Sequence, residues 1–177
     1  LIGFDESAKI VQEMLKQGIG PKDVPLYLVD GNLSNTLYKD LPKGSMEGTQ
    51  GTLPGAEASE EFQSELLEIN PDLKDFSYAP EAYDAAILIA LAAQAAGNDS
   101  GRAIGDTLKQ VSAEGEKCTN YADCLALLED GKDIDYDGKS GPIDLNDVGD
   151  PSKAVMGIYT YGADNTYTRT GSQEGDV

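Results

Sequence analysis

The chain opens with a strand–helix–strand pattern joined by short loops, and this pattern restricts the folds open to it. Leu1 to Phe4 and Pro25 to Val29 are short apolar runs typical of strands. Between them lies a predicted helix that ends at Gly18 and has apolar residues on one face: Ile10, Val11, Met14 and Leu15. Asp5 or Ser7 is its predicted N-cap. This order predicts a βαβ unit with parallel strands and hence the α/β fold class.

The middle of the chain is predicted to be helical. An extended segment over Gly44 to Leu53, closed by Pro54-Gly55, leads into it. Capping residues and stop signals then predict successive helices from Ser59 to Asn70, from Pro80 to Gly97, from Ser100 through Val111, and from Thr119 or Asn120 to Gly131. Several helices in a row interrupt the strand–helix alternation of the first residues.

The last part of the chain is predicted to return to strands. Short strands are expected at Ile143–Leu145, Val155–Tyr161 and Tyr167–Arg169, with a turn around Asp164-Asn165 between the last two. The tail from Thr170 is rich in glycine and acidic residues and is expected to be disordered.

Net charge and hydropathy exclude two classes of partner. With 32 acidic and 13 basic residues the formal charge is −19, so a phosphate backbone would be repelled and nucleic acid is not expected as a partner. The most apolar stretch, Ala85 to Ala96, is shorter than the roughly 20 residues that a membrane-spanning helix needs.

The cysteines Cys118 and Cys124 are the chain's only two. Their spacing does not fit a redox Cys-x-x-Cys motif, and a structural zinc site would need further cysteines or histidines, of which there are none. A local disulfide is the expectation, worth roughly 2 kcal/mol and typical of an oxidising compartment. Two buried free thiols are the alternative.

The first residues also suggest whether the chain is a whole protein or a fragment. The chain begins inside an apolar run, without an initiator Met or a signal-peptide pattern, which favours a fragment of a longer protein.

Five stretches resemble the type I periplasmic binding proteins, in particular the leucine/isoleucine/valine-binding proteins of ABC importers. Each stretch is weak alone, but their order and spacing are specific. They are Gly3-Phe4 with the helix ending at Lys16-Gln17-Gly18, Val29-Asp30-Gly31-Asn32, Glu47 to Pro54, Tyr78 to Ala85, and Tyr136 to Asp144 followed by Gly149-Asp150.

The resemblance implies the C-terminal half of a two-lobe, doubly wound parallel-sheet fold. Residues 1–53 would finish the second lobe, 54–137 would be helices of the first lobe, and 138–177 would return to the second lobe. The missing N-terminal half would supply the rest of the first lobe. The implied function is that of an extracytoplasmic solute-binding component of an ABC importer, in the periplasm or at the cell surface, with a lipid anchor on the missing half as one option. It would bind an amino acid or similar small polar solute and dock on a permease, without a cofactor.

The same resemblance points to two site residues. Family members bind the ligand's α-ammonium group with a carboxylate after a second-lobe strand, and Asp30 stands at the matching place. Phe4 stands near the position where relatives place an aromatic ring against the ligand. The alternatives are an ordinary Asp-Gly turn for Asp30 and core packing for Phe4.

Two other functions remain open at this stage. The aspartates at 133, 135, 137 and 144 with Gly138 approach the EF-hand loop pattern, which would make the chain a calcium-stabilised extracellular module. Ile134 and Tyr136, however, have the character of strand residues, and no metal site is expected. The ligand-binding ectodomain of a sensory receptor would use the same fold. No catalytic constellation is present: without histidine the usual triads are excluded, so the chain is not expected to be an enzyme.

Overall fold

A computed structural model describes residues 1–176 of the chain. The chain divides into two compact units. Unit 1 contains Leu1–Pro54 and Val155–Gln173, and unit 2 contains Gly55–Ala154 with the residues from Glu174 onward.

Unit 1 is built on a four-stranded sheet in the order β1-β2-β6-β7. Its strands are β1 (Tyr27–Leu28), β2 (Gln50–Pro54), β6 (Lys153–Tyr161) and β7 (Tyr167–Asp176). The β1 and β2 strands are parallel, and β2 is antiparallel to β6. Helix α1 (Ser7–Lys16) buries Val11 in a core shared with Leu28, Tyr38, Met46 and Tyr161.

Unit 2 is mainly helical. Its helices are α2 (Glu60–Ile69), α3 (Ala79–Ala96), α4 (Gly101–Val111) and α5 (Tyr121–Glu129). A small sheet in the order β3-β4-β5 accompanies them, formed by β3 (Glu116–Cys118), β4 (Ile134–Gly138) and β5 (Gly141–Pro142). Buried residues of α3, α4, α5 and β4 form its core, among them Leu91, Val111, Cys124, Ile134 and Tyr136.

The predicted helices are confirmed, together with most of their caps. The side chains of Ser59, Ser100 and Asn120 each accept a hydrogen bond from a backbone N–H of the first turn of α2, α4 and α5. Gly97 ends α3 in the left-handed conformation at φ 57°. The predicted cap of α1 is wrong, because Glu6 occupies the N-cap position without a side-chain bond and Ser7 is the first helical residue.

The strand predictions are less accurate. Leu1 to Phe4 is not a strand, because the chain turns into α1 immediately and the Ser7 N–H donates to the Phe4 carbonyl. Parallel pairing instead joins β1 to β2. The predicted extended segment is a strand only over its last residues, from Gln50, and turns precede it.

Two predictions near the C-terminus are wrong. Ile143–Leu145 is not a strand, because Asp144 takes a left-handed conformation at φ 42° that interrupts extended pairing. Residues 170–176 of the tail are not disordered, since β7 continues to Asp176 beside β6, and residue 177 lies outside the described residues. The hydroxyls of Thr160 and Thr170 lie 3.0 Å apart across this pair. The turn at Asn165, with φ 63°, is confirmed.

Candidate functional site

Asp30 lies in a short 3-10 turn, Asp30–Asn32, directly after the carboxyl end of β1. Its side chain is exposed, and Oδ1 accepts a hydrogen bond from the Gly31 N–H at 2.9 Å. This end of a parallel strand is where α/β sheets place ligand-contacting groups. The carboxylate is therefore anchored by its own turn and still open to solvent.

Phe4 lies next to this turn, although 26 residues separate it from Asp30 in sequence. Phe4 as a whole is 69% exposed, so it does not fill a core as the packing alternative would require. A Cβ built on Gly31 would meet the Phe4 ring at 2.8 Å and the Gly3 carbonyl oxygen at 2.8 Å. The structure thus brings together the aromatic ring and the carboxylate turn that the sequence singled out, within unit 1.

Asn32 is the buried residue whose side chain bonds to the segments that carry both groups, and sequence reasoning did not identify its role. Its side chain is fully buried. Oδ1 accepts from the Val29 N–H at 2.9 Å, and Nδ2 donates to the Leu1 carbonyl at 3.1 Å and to the Ser7 hydroxyl at 2.9 Å. An asparagine in a turn after a strand is common, so only the three-dimensional contacts distinguish it.

Ionisable groups around the turn are held in defined states. The Phe4 N–H donates to Glu6 Oε1 at 3.0 Å, and this bond lowers the pKa of the Glu6 carboxyl. The Tyr38 hydroxyl donates to the Asn32 carbonyl at 3.0 Å, and burial raises the pKa of Tyr38 to about 12. Near neutral pH a carboxylate at Glu6 and a neutral Tyr38 therefore flank the turn.

The aspartate-rich segment lies partly on a strand. Asp135 and Asp137 lie on strand β4, and Lys117 Nζ lies 2.8 Å from Asp135 Oδ2 and 2.9 Å from Asp137 Oδ1. These bonds raise the pKa of Lys117. Within residues 1–176 there is no cluster of three or more Asp, Glu, Cys or His side chains that could hold a metal ion. The calcium alternative gains no support from this arrangement.

The predicted disulfide is present. Cys118 at the end of β3 is bonded to Cys124 in the first half of α5, with their Cα atoms 5.3 Å apart. Both residues are buried in the core of unit 2. The free-thiol alternative is wrong.

A buried carboxylate in unit 2 was not predicted either. Asp84 on α3 is 2% exposed. Its Oδ1 accepts from the Tyr136 hydroxyl at 2.8 Å and the Lys139 N–H at 2.9 Å, and its Oδ2 accepts from the Ser140 N–H at 2.7 Å and hydroxyl at 2.6 Å. Hydrogen-bonding groups of the protein surround both oxygens, so Asp84 ties α3 to the turn after β4.

Comparison with solved structures identifies the architecture. The leucine-binding protein LivK of Thermotoga maritima matches 97% of this chain with a TM-score of 0.62 at 15% sequence identity. The branched-chain amino acid transporter substrate-binding protein LivJ of Streptococcus pneumoniae, solved in complex with isoleucine, matches 99% of it with a TM-score of 0.65 at 15% identity. The chain has part of the type I periplasmic-binding-protein fold.

This α/β fold is present only in part, because the chain spans 43% of the length of each of these binding proteins. Both are described as binding proteins rather than enzymes. No protein-family model matches the chain, and no curated protein matches its sequence. In the part of the chain that the structure describes, no helix combines the length and the apolarity needed to cross a membrane.

Proposed function

We propose that this chain is the ligand-contacting C-terminal half of a solute-binding protein that serves an ABC importer and holds an amino acid or similar small polar solute between two lobes. The observation that carries the proposal is the contact of Phe4 with the Asp30–Asn32 turn at the carboxyl end of β1. The same fold in proteins named for binding leucine and branched-chain amino acids supports it.

Asp30 is the proposed partner of the ligand's α-ammonium group. A carboxylate makes charge-assisted hydrogen bonds to an ammonium group that are stronger than bonds between neutral groups. These bonds strengthen further when a closing cleft removes water. Phe4 is the proposed apolar contact for the ligand's side chain, since its exposed ring is adjacent to the same turn.

The rest of the binding protein is proposed by likeness to the whole fold. Residues 1–53 and 138–177 are assigned to the second lobe and residues 54–137 to the first, whose remaining part comes from an N-terminal half of the same protein. Groups on that half hold the ligand's carboxylate. Closure of the two lobes presents the loaded protein to a membrane permease.

An extracytoplasmic location is part of the proposal. The Cys118–Cys124 disulfide supports it, because disulfides persist in oxidising compartments and are rare in the cytosol.

An NMR-detected titration tests the proposed function. The 177-residue chain is titrated with L-isoleucine and, separately, with N-acetyl-L-isoleucine, which lacks the ammonium group. We expect the backbone amides of Gly31 and Phe4 to shift with L-isoleucine, with a dissociation constant on the order of 1 mM because half of the clamp is present. The acetylated ligand should shift them far less. If L-isoleucine does not move these amides, the proposed function is wrong.

A further inference from the structure

We propose that Asn32 is the positioning residue of the candidate site. It does not touch the ligand. Its buried side chain holds the Phe4 segment and the Asp30 turn in one fixed arrangement, and this arrangement sets the affinity for a ligand that contacts both. The part of the inference that concerns a ligand rests on the proposed function. The structural part can be tested without a ligand.

The side chain of Asn32 joins three pieces of the chain. Asn32 Oδ1 accepts a hydrogen bond from the Val29 N–H at 2.9 Å, and Val29 belongs to the segment that carries Asp30. The Leu1 carbonyl, to which it donates at 3.1 Å, belongs to the segment that carries Phe4. The Ser7 hydroxyl, to which it donates at 2.9 Å, belongs to the first residue of α1. One amide group therefore links every piece of backbone that forms the candidate site.

Few side chains could replace it. An asparagine amide offers an acceptor oxygen and two N–H donors, and all three are used here. An aspartate would keep the acceptor but bring a carboxylate oxygen against the Leu1 carbonyl, with no proton between them. A leucine, similar in shape but larger, would leave the Val29 N–H unsatisfied in a buried place.

The position of the Phe4 ring depends on this linkage. The ring lies so close to Gly31 that a Cβ there would be 2.8 Å from ring carbon Cε1. The backbone on both sides of this contact is tied to Asn32, through Leu1 on one side and Val29 on the other. Release of the Leu1 bond therefore lets the ring move away from Gly31 and from the Asp30 carboxylate.

Asn165 provides a matched control within unit 1. It is 2% exposed, its Oδ1 accepts from the Met46 N–H, and its Nδ2 donates to the carbonyls of Leu41 and Pro42. It thus has the same residue type, a similar burial and the same pattern of bonds, but it supports the turn between β6 and β7. Asn32→Asp and Asn165→Asp add the same charge, and each removes the two N–H donors of a buried amide.

The first readout is structural and needs no ligand. In the wild-type chain we expect the Gly31 α-protons to show a ring-current shift from the nearby Phe4 ring, defined by comparison with Phe4→Leu. We expect Asn32→Asp to abolish that shift and Asn165→Asp to preserve it. Should Asn32→Asp fail to fold, Ser7→Ala removes one of the three bonds more gently and should reduce the shift. A Gly31 ring-current shift of undiminished size in folded Asn32→Asp, or in Ser7→Ala, overturns the inference.

The second readout is binding of L-isoleucine, measured well below the melting midpoints of all variants. We expect Asn32→Asp to weaken the affinity for L-isoleucine about tenfold or more, because a buried hydrogen bond is lost. Asn165→Asp should stay within about twofold of wild type, which lies inside the scatter expected of independent sites. If both variants weaken the binding of L-isoleucine equally, Asn32 acts only on overall stability, and the inference is overturned. If the wild-type chain binds no L-isoleucine, the proposed function fails, while the ring-current comparison still decides the positioning role.

Discussion

At the scale of single residues, Asp84 is the buried group whose replacement should be most costly to unit 2. Both of its oxygens accept two hydrogen bonds each, from Tyr136, Lys139 and Ser140. In Asp84→Asn an NH2 group replaces one carboxylate oxygen, so a hydrogen-bond donor would face the donors that now bond to that oxygen. We expect a loss of about 3 kcal/mol in the free energy of unfolding, measured with urea.

The exposed Asp72 is the control for this substitution. Asp72→Asn changes the net charge in the same way at a surface position and should shift the unfolding free energy by less than about 0.5 kcal/mol. Comparable losses in the two variants would contradict the role assigned to the buried carboxylate.

Buried tyrosines make the chain sensitive to alkaline pH. Burial raises the pKa of Tyr38 to about 12, and burial also raises the pKa of Tyr136 and Tyr161 above their usual value. A raised pKa in the folded state favours the neutral phenol. The associated stability is complete below the unfolded pKa of about 10 and is lost as pH rises toward the folded values.

Tyrosinate absorbance and circular dichroism, followed together against pH, check this expectation. Of the nine tyrosines in the chain, Tyr38, Tyr136 and Tyr161 should ionise only as the circular dichroism signal is lost. In urea all nine should titrate near pH 10. Complete ionisation near pH 10 of a chain that is still folded would contradict the burial of these phenols.

The sequence could identify some of these residues and not others. Asp30 and Phe4 stand at the ends of short apolar runs and were named as site residues from the resemblance to binding proteins, and their ligand roles stay a prediction. Asn32 and Asp84 derive their importance from contacts with residues 25 or more positions away, such as Ser7 and Tyr136. No local pattern encodes such contacts, because the same residue types are ordinary in turns and helices.

At the scale of elements, the N-caps provide a direct test of local encoding. Ser100 Oγ accepts from the Ala103 N–H at the start of α4. Ser100→Ala should lower the free energy of unfolding by about 1 kcal/mol because that N–H loses its partner. Ser64→Ala is the control: the Ser64 hydroxyl donates back to the Glu60 carbonyl within α2, and alanine is the better helix former. A loss at Ser64 as large as the loss at Ser100 would contradict the capping role.

The disulfide is the second element-scale test. It closes a short loop, with a sequence separation of 6 residues between Cys118 and Cys124. Replacing both cysteines by alanine should cost about 2 kcal/mol through the entropy of the unfolded chain. Urea unfolding with and without a reductant measures the same quantity in the wild-type chain. A reductant effect that persists in the double alanine variant would show that something other than this bond is responsible.

Helices were predictable from sequence, whereas strands were less so, and the reason is physical. The signals for α4 and α5 lie inside the helices, as a cap and an apolar face. The existence of β1 and β7 depends on partners elsewhere in the chain, β2 and β6. The polar tail therefore became a strand because β6 offered it a hydrogen-bonding edge, which composition alone does not reveal.

At the scale of the whole molecule, the net charge of −19 acts on stability. Self-repulsion of so many carboxylates opposes the compact state. Raising sodium chloride from about 0.01 M to 1 M shortens the Debye length from about 30 Å to 3 Å and screens this repulsion. We expect the melting midpoint to rise with salt, and a neutral osmolyte at equal osmolality to give a smaller rise. A midpoint that falls with salt would mean that favourable ion pairs outweigh the repulsion.

The fold of the whole molecule could be predicted from the order of five weak stretches. Each stretch, such as Val29 to Asn32, is too short to identify a family alone, and the identity to the solved binding proteins is only 15%. The order succeeds because turns and strand ends must recur at fixed places in a fold. The identity of the proposed solute could not be predicted, because in the proposed function its side chain contacts groups from both lobes.

The central claim is that Asp30 binds the ammonium group of an amino acid, and a comparison of two ligands across three proteins tests it most directly. Dissociation constants for L-isoleucine and N-acetyl-L-isoleucine are measured for wild type, Asp30→Asn and the exposed control Asp40→Asn. We predict that wild type and Asp40→Asn bind L-isoleucine about tenfold or more tightly than N-acetyl-L-isoleucine. A ratio of this size corresponds to the loss of one charge-assisted hydrogen bond. Asp30→Asn should erase that preference. A preference retained in Asp30→Asn would contradict the account.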